Sequence, residues 1–208
     1  MNSEQVFVIL QKHIPPPALE YCFSLWKKSP FELKVTRARQ TKVGDFTSRR
    51  SKSHPRITLN HNLNPYLFLV TYIHEVAHWV VFQQYGNRVD PHGEEWKTVF
   101  TDLMMPMMWE SVFPEELLHE LRRHMINPKA SSYADTVLTQ AFRKFDHPSQ
   151  RAIILSEIPE GSIFKLQGRY FTKGKLRRTR VLCRELKTKR EYLVPIDAEV
   201  TDVQVSLL

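Results

Sequence analysis

The feature that most constrains this chain is a long apolar stretch that carries two histidines and a glutamate. Asn64-Pro65 is a typical helix start, because asparagine caps a helix well and proline suits its first position. Gly86 is typical of the residue just past a helix end. The stretch therefore predicts a helix from Pro65 to about Tyr85. Since it is apolar on nearly all sides, we expect this helix to be buried.

The sequence His74-Glu75-Val76-Ala77-His78 lies inside this stretch. Residues four apart on a helix share one face, so the two imidazoles can bind one metal ion. Glu75 lies beside that face, where it suits a general base that takes a proton from zinc-bound water. Two core histidines beside a chance glutamate are the alternative, but such groups are costly to bury without partners. We therefore expect a zinc site.

A catalytic zinc needs a third protein ligand and an open position for water. His92 follows His78 by 14 residues and directly precedes Gly93, where a second helix is expected. Glu94 and Glu95 are alternatives, because some zinc peptidases take their third ligand from a glutamate on the next helix. We favour His92. Surface or structural roles are expected for His54, His61, His119, His124 and His147.

Segments on both sides of this helix predict an α+β domain. Further helices are expected at Ala18–Lys28, Gly93–Leu103, Pro114–Met125 and Ala134–Phe145. Extended segments are expected at Phe31–Arg39, Val43–Ser48 and Arg56–Asn60. Alternating polarity and the turn-like Gly44-Asp45 predict that the first two form a hairpin. The third leads directly to the zinc helix.

After Pro159-Glu160-Gly161 the pattern changes to short strands separated by Gly- and Lys-containing turns. We therefore expect a main domain over residues 1–128, a connecting region with one short helix over 129–150, and a small basic β unit over 151–208. The two cysteines, Cys22 and Cys183, are too few for a disulfide framework or a cysteine zinc site, so reduced thiols are expected.

The chain carries a net charge of +8, which favours polyanions as partners. Residues 165–190 contain eleven lysines and arginines and one acid, with aromatic residues between them. The candidate nucleic-acid contacts are Lys173, Lys175, Arg177, Arg178, Arg180, Arg184, Lys187, Lys189 and Arg190. A solvated charged face is the alternative. No base-reading motif is present, so binding would be independent of sequence.

A second basic group falls on the proposed sheet and consists of Arg37, Arg39, Lys42, Arg49, Arg50, Lys52 and Arg56. No stretch is apolar for the roughly 18 residues that a membrane span requires, and the N-terminus lacks the basic region of a secretory signal. We expect a cytoplasmic protein with no membrane partner, associated with the nucleoid or the nucleus if it binds DNA. The sequence leaves the oligomeric state open.

The pattern HExxH followed by HGxxW, preceded by the strand-like PRITLN, resembles the SprT-like (Spartan-like) family of zinc metalloproteases over roughly residues 15–110. The matching positions are His74, Glu75, His78, His92, Gly93 and Trp96. The resemblance implies a zincin-like domain with helices packed on a small three-stranded sheet. It also implies zinc on the three histidines, Glu75 as base, and cleavage of proteins, notably those crosslinked to DNA.

One departure concerns the C-terminal region, where many bacterial members carry a zinc ribbon with paired cysteine motifs. This chain has only Cys183 there. We therefore expect a ribbon-like β unit without its metal, and one zinc ion per chain.

The expected function is that of a zinc metalloendopeptidase acting on proteins bound or crosslinked to DNA. The main alternative is a DNA-binding protein with a structural or catalytically silent zinc centre; metal-dependent hydrolysis of a small amide fits the basic C-terminal region less well. The strand Arg56–Asn60 is expected to line the cleft and to pair with a substrate strand. Tyr66, Tyr72 and Tyr85 are candidates for stabilising the oxyanion.

Overall fold

A computed structural model describes residues 2–39, 42–48, 55–129, 135–146 and 153–204. The chain divides into two compact units, Met1–His147 and Pro148–Leu208. Each unit has its own hydrophobic core. The mixture of helices and sheets confirms the predicted α+β class. Within the described ranges, none of the helices combines the length and the hydropathy needed to cross a bilayer.

The described part of the first unit contains six α-helices. They are α1 (Ser3–His13), α2 (Leu19–Lys28), α3 (Pro65–Tyr85), α4 (Glu94–Met104), α5 (Glu115–Met125) and α6 (Thr136–Arg143). The central one, α3, has the bounds that its sequence predicts. The Asn64 side chain accepts a hydrogen bond from the Leu67 N–H at its start, and Gly86 follows its end with a positive φ of 62°. Eleven of its residues are buried, which places α3 at the centre of the core.

Three strands form the sheet of the first unit: β1 (Glu32–Thr36), β2 (Gly44–Thr47) and β3 (Arg56–Asn60). Their order is β1-β3-β2, with β3 parallel to β1 and antiparallel to β2. The predicted hairpin between the first two strands is therefore wrong. Ile57 and Leu59 of the central strand β3 are fully buried, as is Leu33 of β1.

Helix α6 lies in the segment that the sequence assigns to a connecting region. Its Leu138 and Phe142 belong to the core of the first unit. The Asn64 side-chain amide donates to the Phe142 carbonyl at 2.9 Å and to Asp146 Oδ1 at 2.6 Å. The end of α6 is thereby tied to the start of α3. This helix is part of the first unit rather than a linker.

The second unit is a six-stranded antiparallel sheet. Its strands are β4 (Ile153–Ile154), β5 (Ile163–Leu166), β6 (Arg169–Arg177), β7 (Arg180–Glu185), β8 (Glu191–Pro195) and β9 (Glu199–Gln204), in the order β4-β9-β5-β6-β7-β8. Phe164 and Phe171 stack in its core, and Cys183 is buried as a free thiol. Apolar packing holds this small sheet together.

Candidate metal centre

Three histidines from two parts of the first unit converge on one point. His74 and His78 come from α3, and His92 comes from the loop before α4. Their Nε2 atoms form a triangle with sides of 3.1, 3.2 and 3.4 Å. Tetrahedral zinc with Zn–N bonds of 2.0 to 2.1 Å requires ligand nitrogens about 3.3 to 3.4 Å apart. The donor set and its spacing therefore fit a zinc ion.

The surroundings keep these imidazoles neutral, as metal ligands must be. Burial lowers the pKa of all three rings: that of His74 well below its usual value, that of His78 to about 4, and that of His92 in the same direction. The proximity of the other histidines adds to the lowering for His74 and His78. A neutral imidazole has one ring nitrogen with a free lone pair, so three converging Nε2 atoms can present three lone pairs to one cation.

Trp96 forms the floor of this cluster. Its ring centroid lies 4.6 Å from that of His74, 5.4 Å from that of His78 and 4.8 Å from that of His92. Phe100 stacks on Trp96 at 4.8 Å and also lies 5.7 Å from His74, and Trp96 is fully buried. Its indole N–H is a buried donor without a hydrogen-bond partner among the residues that the structure describes. The HGxxW motif points to this residue, although spacing alone does not show that it packs against all three imidazoles.

Glu75 lies next to the cluster on α3 and is only 6% exposed. Its pKa is raised to about 8, mainly by burial and to a smaller extent by the charge of Asp45. The backbone N–H of Phe46 and the charges of Arg39 and Lys42 act in the opposite direction. The carboxyl group therefore faces β2 and the loop before it. This places a buried carboxyl beside three convergent imidazoles.

The rival ligands lie elsewhere. Glu94 is 86% exposed in its side chain and pairs with Lys97 at 2.8 Å. Glu95 is half-buried on α4 and does not join the cluster. Over the described ranges, the three histidines are the only group of histidine, cysteine or carboxylate side chains close enough to hold a metal ion.

The other histidines that the sequence sets aside also lie apart from this cluster, where the structure describes them. His61 contacts the Thr36 carbonyl, and His119 is exposed. His124 is buried against Asp135 at 3.4 Å. His54 and His147 fall outside the described residues.

The candidate oxyanion residues are not gathered at the site. The Tyr72 hydroxyl is fully buried and donates to the Cys22 carbonyl at 3.0 Å. The ring of Tyr66 packs against Phe113 and Phe145. Tyr85 lies seven residues after His78 on α3, which is about 10 Å along the helix axis. The Tyr72 hydroxyl is therefore unavailable to a substrate. Tyr66 and Tyr85 each lie about two helical turns from the nearest histidine of the cluster.

The expectation that the strand Arg56–Asn60 pairs with a substrate strand is wrong. Both edges of β3 are occupied, one by β1 and the other by β2, so β3 has no edge for an added strand. The edge strands of the described sheet are β1 and β2, and β2 is the one that approaches Glu75. The Asn60 N–H donates to the Val43 carbonyl. Because antiparallel pairs alternate, the backbone groups of Gly44 and Phe46 then face away from β3.

The basic residues of the second unit lie mainly at the surface. Eight of the nine candidate contacts are exposed: Lys175, Arg177, Arg178, Arg180, Arg184, Lys187, Lys189 and Arg190. The ninth, Lys173, is half-buried and donates to the Ile158 carbonyl. Arg177 and Arg180 are direct cross-strand partners, and Arg178 lies in the turn between them with a positive φ of 54°.

The second basic group, on the first unit, is less available. Arg39 donates to Asn60 and Thr58, and Arg56 pairs with Glu32 at 2.6 Å. Lys42 pairs with Asp45, while Arg37 is exposed. Arg49, Arg50 and Lys52 lie outside the described residues.

Comparison with known proteins identifies relatives of the first unit. Residues 19–121 match the model of the SprT-like family. Protein SprT of Glaesserella parasuis serovar 5 is 30% identical over 93 residues, which cover 45% of this chain and 49% of that protein. Protein SprT of Actinobacillus succinogenes is 35% identical over 60 residues, 29% of this chain and 31% of that protein.

A third relative, Protein SprT of Pseudomonas fluorescens, is 52% identical over 29 residues, 14% of this chain and 18% of that protein. The chain thus spans about half or less of the length of these curated relatives. No solved structure matches the chain.

Proposed function

Because residues 19–121 form a domain of the SprT-like family, we propose that this protein is a zinc-dependent metallopeptidase with a zincin-like catalytic domain. We propose that its substrates are proteins bound or crosslinked to DNA. The observation that carries the proposal is the triangle of Nε2 atoms from His74, His78 and His92, with sides of 3.1 to 3.4 Å, beside the carboxyl group of Glu75.

Each side chain of this site has one task in the proposed reaction. His74, His78 and His92 would hold the ion, with Trp96 keeping the three rings in place. A bound zinc ion supplies Lewis acidity, which polarises a carbonyl group and makes water easier to deprotonate. A bound cation would lower the pKa of the neighbouring Glu75. Its carboxylate could then take the proton from the attacking water and later deliver it to the leaving amine.

The free edge of β2 offers a place for the substrate backbone. Gly44 and Phe46 face outward there. The Phe46 N–H donates to the carboxyl group of Glu75, so a substrate would meet mainly the backbone groups of Gly44. A peptide added to this edge would run past the general base and bind through main-chain hydrogen bonds. Main-chain recognition depends little on side chains, which suits an enzyme that acts on many different proteins.

The charge of the second unit favours a polyanion as the partner that brings substrates close. Like charges directly opposite each other destabilise a sheet, and Arg177 faces Arg180 with Arg178 between them. Phosphate groups would relieve this repulsion. The six residues of β7 separate this hairpin from the basic turn at residues 187–190 by about 20 Å. That distance would span several phosphates of one nucleic-acid strand. The contact would be independent of base sequence.

Replacing Glu75 by Gln tests the proposed reaction. Glutamine keeps the size of the side chain but cannot take a proton, so cleavage of a DNA-crosslinked protein should fall by about 100- to 10,000-fold. Zinc content and DNA affinity should stay at wild-type levels. Glu94→Gln is the matched control, because Glu94 is exposed and pairs only with Lys97. That variant should cleave like the wild type.

Unchanged cleavage by the Glu75→Gln variant would contradict the proposal. Zinc binding without any cleavage by the wild type would favour a DNA-binding protein with a structural zinc centre instead. Absence of zinc from the loaded wild type would contradict both functions.

Reversing charge at Arg177, Arg178 and Arg180 tests the DNA contact. Each lost phosphate contact removes about 0.7 to 0.9 from the slope of log affinity against log salt, so three substitutions to Glu should flatten it by about 2 to 3. Reversal at the exposed Lys12, Lys27 and Lys28 changes the net charge equally and is the matched control. Equal effects of the two triple variants would mean that net charge alone, and not this hairpin, attracts DNA.

A further inference from the structure

We propose that Gly44 positions the general base: its missing side chain leaves the space that the carboxyl group of Glu75 occupies against the edge of β2. This inference rests on the proposed function, in which Glu75 moves the proton. It assigns a positioning residue in a strand that carries none of the zinc ligands.

The space at Gly44 is already filled by its neighbours. A Cβ atom placed on Gly44 would lie 2.5 Å from Glu75 Oε1 and 3.0 Å from Glu75 Cγ. It would also lie 2.6 Å from Thr71 Cγ2. Cβ contacts under 3.0 Å, such as those with Glu75 Oε1 and Thr71 Cγ2, essentially never occur in proteins, so any larger residue forces Glu75, Thr71 or β2 to move.

Backbone conformation gives no other reason for a glycine at this position. Gly86, Gly161 and Gly168 have positive φ angles and open space where a Cβ would be. Gly44 has neither feature: its φ is not positive, and its surroundings are full. The glycine is therefore required by the close approach of α3 to β2 and not by the shape of the chain.

Both partners in this contact are fixed in place. The Thr71 hydroxyl donates to the Leu67 carbonyl at 2.7 Å, which sets its rotamer, and Thr71 itself is buried. On β2, the ring of Phe46 packs 5.7 Å from Trp79 and 5.9 Å from Phe82, both on α3. Phe46, two residues after Gly44, therefore holds β2 against α3. Neither side can withdraw without breaking these contacts.

The consequence for the reaction follows from the required accuracy of placement. A misplacement of about 1 Å in a reacting group can cost about 100-fold in rate. A Cβ on Gly44 would have to displace the Glu75 carboxyl group by about that distance to reach an ordinary contact of 3.4 Å or more. None of the three histidines is among the nearest neighbours of a Cβ at Gly44. We therefore expect a larger residue there to leave the triangle of Nε2 atoms unchanged.

The test uses Gly44→Ala in the full-length zinc-loaded chain that also carries Thr71→Ser. Serine keeps the hydroxyl that donates to Leu67 but lacks the Cγ2 atom, so only the collision with Glu75 remains. We expect kcat to fall about 100-fold relative to Thr71→Ser alone. KM should change little, and zinc should stay at one ion per chain. A purely structural role would lower activity only in proportion to the folded fraction.

A second readout does not depend on activity. The unfolding midpoint is measured with and without Gly44→Ala in chains that carry Thr71→Ser together with either Glu75→Ala or Glu75→Gln. Glu75→Ala removes the colliding atoms, while Glu75→Gln keeps their size. Gly44→Ala should therefore lower the midpoint clearly in the Gln background and only slightly in the Ala background.

The two readouts separate this inference from the proposed function. If the wild type binds zinc but cleaves nothing, the peptidase proposal fails, and unequal midpoint shifts would still establish the contact. If Gly44→Ala retains wild-type kcat in an active enzyme, Gly44 does not position the base. Equal midpoint shifts in the Ala and Gln backgrounds would also overturn the inference. Failure of Gly44→Ala to fold beside Glu75→Gln, with recovery beside Glu75→Ala, would support it.

Discussion

The Asn64 side chain makes three hydrogen bonds: one caps the start of α3, and two join that start to the end of α6. Its Oδ1 accepts from the Leu67 N–H at 3.0 Å, and its Nδ2 donates to the Phe142 carbonyl and to Asp146. The side chain is 4% exposed, so water cannot replace these partners without a rearrangement. We predict that Asn64→Ala is among the more destabilising polar substitutions in the first unit.

The expected magnitude follows from the three bonds. Loss of a helix cap costs about 1 kcal/mol. The bond to the Phe142 carbonyl contributes about 1 kcal/mol, since that oxygen also accepts from the Phe145 N–H and is not left alone. The bond to the Asp146 carboxylate contributes about 1 to 2 kcal/mol. Asn64→Ala should therefore lower the free energy of unfolding by about 3 to 4 kcal/mol.

Tryptophan fluorescence during urea unfolding can measure this loss in the full-length chain. All four tryptophans, Trp26, Trp79, Trp96 and Trp109, belong to the first unit, so the signal follows that unit alone. Zinc is kept at one fixed concentration, because a bound ligand adds its own stabilisation. Asn62→Ala is the control, since the Asn62 side-chain oxygen has no hydrogen-bond partner. It should cost less than about 1 kcal/mol.

Asn64→Asp separates the cap from the connection to α6. Aspartate caps a helix about as well as asparagine, but it cannot donate to Phe142 and places a second carboxylate beside Asp146. We therefore expect Asn64→Asp to be at least as destabilising as Asn64→Ala. If Asn64→Asp is as stable as the wild type, only the cap matters, and the proposed role of the bonds to α6 is refuted.

Three further predictions concern pH, metal and chain length. Burial lowers the pKa of His124, which lies beside Asp135, below its usual value of 6.5. The stability linked to neutral His124 is therefore complete above pH 6.5 and is lost as the pH falls from 6.5 towards the lower pKa of the folded state. The unfolding midpoint of His124→Gln should vary less between about pH 7 and pH 5 than that of the wild type. His92→Ala should lose the zinc ion measured by metal analysis, whereas Glu94→Ala should keep one ion per chain, and a chelator should lower the unfolding midpoint of the wild type. A chain ending at residue 147 should unfold cooperatively with zinc bound. A chain ending at residue 129 lacks α6 and its buried Leu138 and Phe142, which should lower the free energy of unfolding by about 3 to 6 kcal/mol.

Helix α3 could be predicted from the sequence because its signals are local. The cap at Asn64, the stop at Gly86 and the period of the apolar residues all lie within the helix itself. The convergence of His74 and His78 follows from that period alone. His92 required the further assumption that the loop turns back, which the distances between the Nε2 atoms support.

Strand order could not be predicted in the same way. Alternation and a turn-like dipeptide predict a hairpin between the first two strands, but both strands pair with β3. A strand is chosen as a neighbour by the surface it can bury, and β3 carries the fully buried Ile57 and Leu59. The sequence likewise predicts a linker where α6 lies, because the pattern of a short helix does not indicate which core it packs against. The fold shows that Leu138 and Phe142 belong to the core of the first unit.

Gly44 shows most clearly where sequence reasoning reaches its limit. Gly44-Asp45 has the composition of a turn, and a turn would explain the glycine through its backbone freedom. In the folded chain the same residue begins β2, with no positive φ, and its missing side chain makes room for Glu75 from 31 residues further along. The sequence contains the glycine in either case. Only the approach of α3 to β2 distinguishes a glycine needed for backbone flexibility from one needed for its small size. If Gly44 is needed for its small size, a residue outside the HExxH motif controls where the carboxyl group of Glu75 can lie.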